Sequence, residues 1–390
     1  MMDLWSFIPY YMARLCGGLR EQRIDVTFGS VRYHLQRDYF FTAGVSPDPG
    51  LLDFGGSIRN PSLRRIVKSV EYLFNLFVLG LRLWISQPGI LHVEYLPFID
   101  HGFQFEIWFM KWAKRLGIPV VYTVHNVTYQ GSPERNKRFY KRAYSTADAL
   151  ICHGQDARAQ LSQEFGIASE KIWVIPHGPL FEEGAKLSPQ EARHRLGLPV
   201  EQILVLYFGV ISEYKGISFL LDAWKKMVDA GGAGRLLIAG TGDTQLLASI
   251  RQRVVAKGLE SSVSLRLEFI PVEQLPLFYQ AADVLVFPYS EGTTSGALLT
   301  GMNYGKAIVA THLPFFHEYL SEGESALFVD YGDTARLAGT LTKLVADPME
   351  RSRLGSGVAA RTARFNSWNH IAQSTIECYE QVKQRSPVQE

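Results

Sequence analysis

Cysteine is scarce in this chain. Cys16, Cys152 and Cys378 are the three it has in 390 residues. They lie too far apart in sequence for paired metal ligands or a disulfide framework, which fits a reducing, cytoplasmic setting. An excess of one charge is also lacking. Forty Lys and Arg against 38 Asp and Glu leave a net +2, so no nucleic-acid partner is called for. Long apolar runs are missing too. The most lipid-like segment, Tyr72–Ile85, is interrupted by Asn75 and Arg82 and is short of the roughly 20 residues that span a bilayer. Met1–Gly18 lacks the basic-then-apolar order of a secretory leader. No short repeat and no Asp-x-Asp pair at a strand end is found, so neither a solenoid nor a metal site is expected, and no cofactor is implied.

What is present is globular: 47% hydrophobic and 20% charged residues, in a chain long enough for two cores. Apolar runs alternate with helical periodicity throughout, the signature of α/β domains with parallel sheets. Strands are expected in the first half at Ile24–Phe28, Ile90–Glu94, Val120–His125, Ala149–His153 and Lys171–Ile175. In the second half they are expected at Ile203–Gly209, Arg235–Ala239, Val263–Phe269, Asp283–Phe287, Ala307–Ala310 and Ala326–Val329. The Pro- and Gly-containing stretch Pro176–Gln202, with the acidic Glu182-Glu183-Gly184, reads as the boundary. The expected division is a first domain at 1–180, a second at 181–365, and a C-terminal helix and tail at 366–390. Asp3–Gly18 reads as a loop followed by a helix with no apolar strand before it, so the first domain is expected to lack its opening strand, a sign of a start assigned late.

The most telling segment is Asp283–Thr311. A buried strand breaks into the small polar turn Ser290-Glu291-Gly292-Thr293-Thr294-Ser295-Gly296, a short helix follows, and Gly305 ends it before another strand. A strand, a Gly/Ser/Thr turn and a helix start aim unpaired amides at one point, which suits phosphate oxygens. Two other turns follow strands in the same half. Ile203–Gly216 brings Gly209 and then Lys215-Gly216, where Gly permits close backbone approach and Lys supplies a point charge. Leu236–Asp243 brings Gly240-Thr241-Gly242. Each alone is equally an ordinary βα turn.

Their order is more specific than any one of them. Strand-Gly-x5-Lys-Gly, strand-Gly-x-Gly, Phe269-Ile270-Pro271, Ala281-Ala282-Asp283 and the Thr-Ser-Gly turn stand in one domain. Together with IPVVYTVHNVTYQ, the passage ALICHGQDARAQLSQEFGIASEKIWVIPHGP and the C-terminal RFNSWNHIAQSTIECYEQV, they resemble the retaining-type glycosyltransferases of GT-B architecture, family 4, in the bacterial polysaccharide subgroup. The resemblance implies two Rossmann-like domains facing a cleft, a C-terminal helix crossing back, and sugar transfer from a nucleotide-sugar donor. It places Gly209, Lys215, Gly216 and Gly240 by the donor diphosphate, with the amides of Thr294, Ser295 and Gly296 on its oxygens. His125 and Glu291 would act at the donor sugar, although His125 taken alone reads rather as a core-edge residue holding the Asn126 turn. The chain departs from the pattern in two places: Thr300 stands where a second glutamate would hold the ribose, and Val210 where an arginine commonly follows the glycine.

Metal-free catalysis is then expected, with Lys215 and the phosphate turn stabilising the leaving diphosphate. If the outcome is inversion, Asp100 or Glu94 is the candidate base. Residues 1–180 carry a net +5 and residues 181–390 a net −3. Three basic-aromatic helices in the positive half (Arg64–Ile85, Phe103–Leu116 and the Lys137–Arg142 run) suggest peripheral contact with an anionic bilayer, at the inner face of the plasma membrane. That would suit a saccharide or polyprenyl-linked acceptor in exopolysaccharide, capsule or O-antigen assembly. Two readings compete: a GT-B sugar-nucleotide epimerase using Glu94, Asp100 and His101, and a non-catalytic GT-B partner subunit, motivated by Thr300 and Val210.

Overall fold

The computed structural model describes residues 1–128, 134–181, 184–292, 294–365 and 367–385. Glu182, Glu183 and Thr293, named above, lie outside them, as do Tyr129 and Gln130 at the end of the His-Asn passage. The chain forms two compact units, Met1–Gly178 with Ser367–Glu390, and Pro179–Asn366.

The first unit is built on a six-stranded parallel sheet. Its strands are β1 (Met2–Asp3), β2 (Gly29–Ser30), β3 (Leu91–Val93), β4 (Val120–Val124), β5 (Ala149–Cys152) and β6 (Ile172–Val174), in the spatial order β2-β1-β3-β4-β5-β6. The expectation of a missing first strand is corrected here. Met2 pairs with Gly29 on one side and Val93 on the other, so β1 is an inner strand of two residues. It escaped notice because its second residue is a carboxylate. Asp3 is fully buried, and its side chain accepts the amides of Trp5 (3.2 Å), Phe7 (2.8 Å) and Ile8 (3.1 Å) where the chain turns into the helix Pro9–Glu21. The expected strand Ile24–Phe28 is also corrected. Val26 and Phe28 are buried, but pairing begins only at Gly29.

The C-terminal helix Trp368–Arg385 belongs to this unit and packs on Pro9–Glu21. The two approach closely at Gly18, where a Cβ would sit 3.1 Å from Ala372 Cβ and 3.2 Å from the Trp368 carbonyl oxygen. Tyr379 on that helix reaches the sheet and contacts His92 Nδ1 at 2.5 Å.

The second unit repeats the plan with β7 (Leu204–Phe208), β8 (Arg235–Ala239), β9 (Val263–Arg266), β10 (Val284–Phe287), β11 (Ala307–Thr311) and β12 (Ala326–Val329), ordered β12-β11-β10-β7-β8-β9 and parallel throughout. The four strands β7, β8, β10 and β11 are near-continuously apolar and buried, as a sheet covered on both faces requires. Order reverses between β7 and β8 on one side and β10 on the other, and ligands of such sheets sit at the carboxyl ends of the strands beside that switch. Gly209, Gly240 and the turn 288–296 all leave the sheet there.

Candidate functional site

At the switch in the second unit, glycines set the backbone. Gly240 has φ +142°, and a Cβ on it would lie 1.9 Å from the Gly209 carbonyl oxygen. The turns after β7 and β8 are thus pressed backbone to backbone, and Ile211 N donates to the Thr241 carbonyl at 2.7 Å. Gly240, expected at the diphosphate, is spent on this packing. Gly216 has φ +70° and carries the chain into the helix Ile217–Asp229. A Cβ there would meet the Pro288 carbonyl oxygen at 1.8 Å, which brings the end of β10 alongside. Gly209 differs. It has φ +140°, but a Cβ would meet only Ala297 Cβ at 3.5 Å and Lys215 Nζ at 3.8 Å, so space opens in front of it.

Lys215 is buried, with 9% of its surface exposed. Its ammonium lies 3.3 Å from the Tyr289 hydroxyl, over the Tyr289 ring at 4.8 Å and near the Tyr214 ring at 5.7 Å. Among the described residues no carboxylate pairs with it. Burial holds its pKa below the ordinary lysine value. An ammonium in this setting gains from an anion that can approach past Gly209. Tyr289 connects the cation to the turn. Its hydroxyl lies 3.3 Å from Ser295 Oγ, and Ser295 Oγ accepts the Leu298 amide at 3.2 Å, capping the short helix Gly296–Met302.

The structure therefore brings Gly209, Lys215, Ser295 and the start of that helix together, and adds Tyr214 and Tyr289. Thr294 Oγ1 in the same turn is buried with no partner. Glu291 is exposed on the turn. Thr300, in the ribose-glutamate position, is buried with its hydroxyl unpartnered.

His125 lies in the first unit, just past β4. Around it stand Glu94, named above as a candidate base, and His153 and His177, which the sequence did not single out. Its Nε2 is 2.9 Å from Glu94 Oε2, and its Nδ1 is 3.0 Å from His153 Nε2. His153 Nδ1 faces the Ile175 carbonyl at 3.1 Å, and the His177 ring lies 5.0 Å from that of His153. Tyr11 packs against all three histidine rings. Burial pushes Glu94 up to about 7 and holds both His125 and His153 down to about 3. Glu94 Oε1 comes within 3.2 Å of His92 Nε2, yet the angle makes no hydrogen bond and the oxygen stays unpartnered.

Glu94, Asp100 and His125 line one pocket together with Phe7, Tyr95 and Tyr140. Asp100 accepts from the Tyr140 hydroxyl and, at 3.4 Å, from Tyr95, and burial pushes it up to about 7. A signal for this cluster did exist. Glu94, His125 and His153 each directly follow a strand, where parallel sheets present their functional side chains. Among the described residues no three His, Cys, Asp or Glu converge as a metal site.

Two parallel six-stranded sheets with flanking helices have the GT-B architecture of solved structural neighbours. The description Glycosyltransferase Family 4 matches residues 8–179, and Glycosyl transferases group 1 matches residues 202–347. The chain belongs to this family 4 type of GT-B glycosyltransferase. It is 28% identical over 287 residues to the D-inositol 3-phosphate glycosyltransferase of Acidothermus cellulolyticus, an alignment that spans 68% of this chain and 63% of that protein. Among solved structures, HepE of Anabaena in complex with UDP superposes with a TM-score of 0.75 at 16% identity, covering 97% of this chain and 98% of that one. A glycosyltransferase from Rickettsia africae superposes with a TM-score of 0.76 at 14% identity, covering 98% and 96%.

Proposed function

We propose that the chain transfers a hexose from a UDP- or GDP-sugar to a hydroxyl of a lipid-linked saccharide, without a metal, during cell-surface polysaccharide assembly at the inner face of the plasma membrane. The observation that carries the donor half is Lys215, a buried ammonium without a described carboxylate partner, next to open space at Gly209 and a capped helix start. A diphosphate supplies the missing negative charge, and the same contacts stabilise it as it leaves. UDP in the HepE structure supports trying UDP-sugars first. Incubation with a panel of UDP- and GDP-sugars, read as donor hydrolysis and as calorimetric binding, tests this half. Turnover of at least one donor is expected. Binding without turnover would favour the partner-subunit reading, and neither would sink the donor assignment.

The membrane half rests on one surface of the first unit. The helix Pro61–Ser86 is apolar on two faces. Tyr72, Leu76, Leu79 and Leu83 pack inward. The polar residues sharing that inner face are satisfied. Lys68 donates to the Trp5 carbonyl, Glu71 accepts the Phe54 and Gly55 amides, and Asn75 bonds the Leu52 backbone both ways.

The opposite face leaves Ile66, Val70, Phe77, Leu81, Trp84 and Ile85 between 45% and 76% exposed. Trp112 on the neighbouring helix Phe105–Arg115 continues this face by donating to the Gly80 carbonyl at 3.2 Å, and Trp108 on that helix is 59% exposed. The single acid of each helix, Glu71 and Glu106, is buried, while Arg65, Lys111, Lys114 and Arg115 are exposed. Exposed tryptophan and aliphatic side chains ringed by cations suit an anionic bilayer. The third basic-aromatic run does not join them, because Phe139 and Tyr140 are buried. No described helix is long and apolar enough to cross a membrane.

Flotation with phosphatidylglycerol vesicles is expected to carry the protein. The triple variant Ile66→Ser, Phe77→Ser, Trp84→Ser should lose at least about tenfold in partitioning. Flotation that is indifferent to salt, lipid charge and these substitutions would remove the membrane half.

A further inference from the structure

The phosphate chemistry of the second unit makes no use of the pocket that Asp100 lines in the first. Every residue around that pocket belongs to Met1–Gly178. Its polar wall consists almost wholly of hydrogen-bond acceptors. Among the described residues no lysine or arginine lines it, and Asn126 is the one side-chain amide, exposed on the chain after β4. Glu94 is out of a ligand's reach, because its side chain is 0% exposed and faces His125 Nε2 at 2.9 Å. His125 turns its other ring nitrogen to His153 at 3.0 Å, and burial holds it down to about 3, so it brings no positive charge. The carboxyl group left within reach is that of Asp100, which is half-buried.

Two tyrosines fix the polarity around Asp100. Tyr140 donates its hydroxyl hydrogen to Oδ1, and Tyr95 donates to Oδ2 at 3.4 Å. A phenol whose hydrogen is committed in this way can only accept from a ligand, and each carboxylate oxygen keeps a second lone pair. Asn136 Nδ2 donates to the Asp100 carbonyl at 2.6 Å and holds the backbone of the turn. Beside these oxygens Phe7 stacks on Tyr95, with centroids 4.1 Å apart and planes within 8°, and keeps 41% of its surface exposed. Lone pairs next to an open aromatic face suit a sugar ring that presents C–H on one side and N–H or O–H on another. A hydroxyl brings one such hydrogen, whereas an ammonium brings three and a charge opposite to that of Asp100. A phosphate brings more oxygens and more negative charge, with no cation there to offset its burial.

We propose that this pocket binds a sugar carrying a free primary amine, its ammonium on Asp100 and the Tyr95 and Tyr140 oxygens and its ring against Phe7, and that it rejects a phosphate in the same place. This rests on the transferase reading above, where it makes the sugar that receives the transfer an amino sugar. Proton linkage follows from the same contact. Burial pushes Asp100 up to about 7, so below that pH the empty pocket holds the neutral acid. An arriving ammonium favours the carboxylate, and the acid gives up its proton as the amine binds. The groups packed around Asp100 are Tyr95, Tyr122, Tyr140, Tyr144 and Glu106, with Glu94 and His125 across the pocket and the exposed His101 next in the chain. Burial pushes Tyr122 and Tyr144 up, so both stay neutral. Glu94 and Glu106 are also raised to about 7, so a variant at Asp100 is needed to assign the proton.

The test is calorimetric binding to the full chain. Methyl glycosides of glucosamine, galactosamine and mannosamine are compared with their hydroxyl, N-acetyl and 6-phosphate counterparts. At least one amine should bind about 10- to 100-fold more tightly than its hydroxyl and N-acetyl counterparts, the worth of a charge-assisted hydrogen bond, and the 6-phosphates should bind most weakly. At about pH 6, titrations in two buffers of different ionisation enthalpy should show close to one proton released per amine bound. Asp100→Asn should abolish that release and bring the amine to within about threefold of the hydroxyl sugar. If this variant does not fold, the wild-type order of ligands and the proton release still decide. No sugar binding at all, a hydroxyl sugar or phosphate bound as tightly as every amine, or a preference that survives in Asp100→Asn would overturn the proposal. The expected preference without transfer from any donor counts against the transferase reading instead.

Discussion

Lys215→Met should weaken nucleoside-diphosphate binding by roughly 10- to 100-fold, the worth of a charge-assisted hydrogen bond to a buried cation, while the ligand-free protein unfolds no earlier than the wild type. The two effects separate because the ammonium is costly to the empty fold. Tyr214 and Tyr289 surround it with ring faces and one hydroxyl, and no described carboxylate neutralises it. Methionine fills nearly the same volume without a charge to desolvate. The pH dependence has a matching sign. Burial lowers the folded-state pKa of Lys215 below its unfolded value. Between the two values the unfolded chain binds more protons, so the stability of the empty protein rises as pH climbs through the folded pKa. Donor affinity moves the other way, since the ammonium is lost there, at a lower pH than for an exposed lysine. Isothermal titration with UDP and GDP across that range, alongside thermal melts, checks both signs. Unchanged affinity in Lys215→Met would show that the diphosphate sits elsewhere.

The parts of this fold that were legible in the sequence are those with strong local patterns. β8 and β12 fall on the expected residues. β1 was invisible because two residues, one of them a carboxylate, carry no period; its membership in the sheet depends on the amides that satisfy Asp3 after folding. The donor site was half legible. Gly209, Lys215 and Ser295 stand in turns that the sequence marks, but Tyr289, between the expected strand and the turn, carried no signal, and its contact with Lys215 crosses 74 positions. Gly240 was legible as special without its reason being legible, since a ligand-facing glycine and a glycine pressed on another backbone look alike in sequence. The Pro61–Ser86 helix shows the reverse difficulty. Arg64–Ile85 reads from sequence as a basic-aromatic helix, but only the structure shows that Tyr72, Leu76, Leu79 and Leu83 already fill the core side and leave Ile66, Phe77 and Trp84 uncovered.

The two glycines at the switch point should respond in different proportions of stability and affinity to the same substitution, and the contrast tests how the site is built. Gly240→Ala puts a methyl group against the Gly209 carbonyl, a backbone atom 1.9 Å from the ideal Cβ position, in a residue whose φ of +142° already disfavours any side chain. Neither turn can yield without breaking the hydrogen bond from the Ile211 N–H to the Thr241 carbonyl that ties them. A loss on the order of 3–5 kcal/mol is expected from strain and overpacking together, a large share of a total stability of about 5–15 kcal/mol. The melting temperature should fall steeply, and donor binding should fall with it. Gly209→Ala shares the unfavourable φ, +140°, but its methyl would meet only Ala297 Cβ and Lys215 Nζ at van der Waals distance. Its stability cost should stay at about 1–3 kcal/mol, yet the methyl occupies the space through which an anion reaches Lys215. Nucleotide affinity should therefore drop far more than stability does. If Gly209→Ala bound UDP and GDP as the wild type does, the open side of Gly209 would not be the path of the diphosphate. If Gly240→Ala melted with the wild type, the close backbone contact between the β7 and β8 turns would not be what shapes the site.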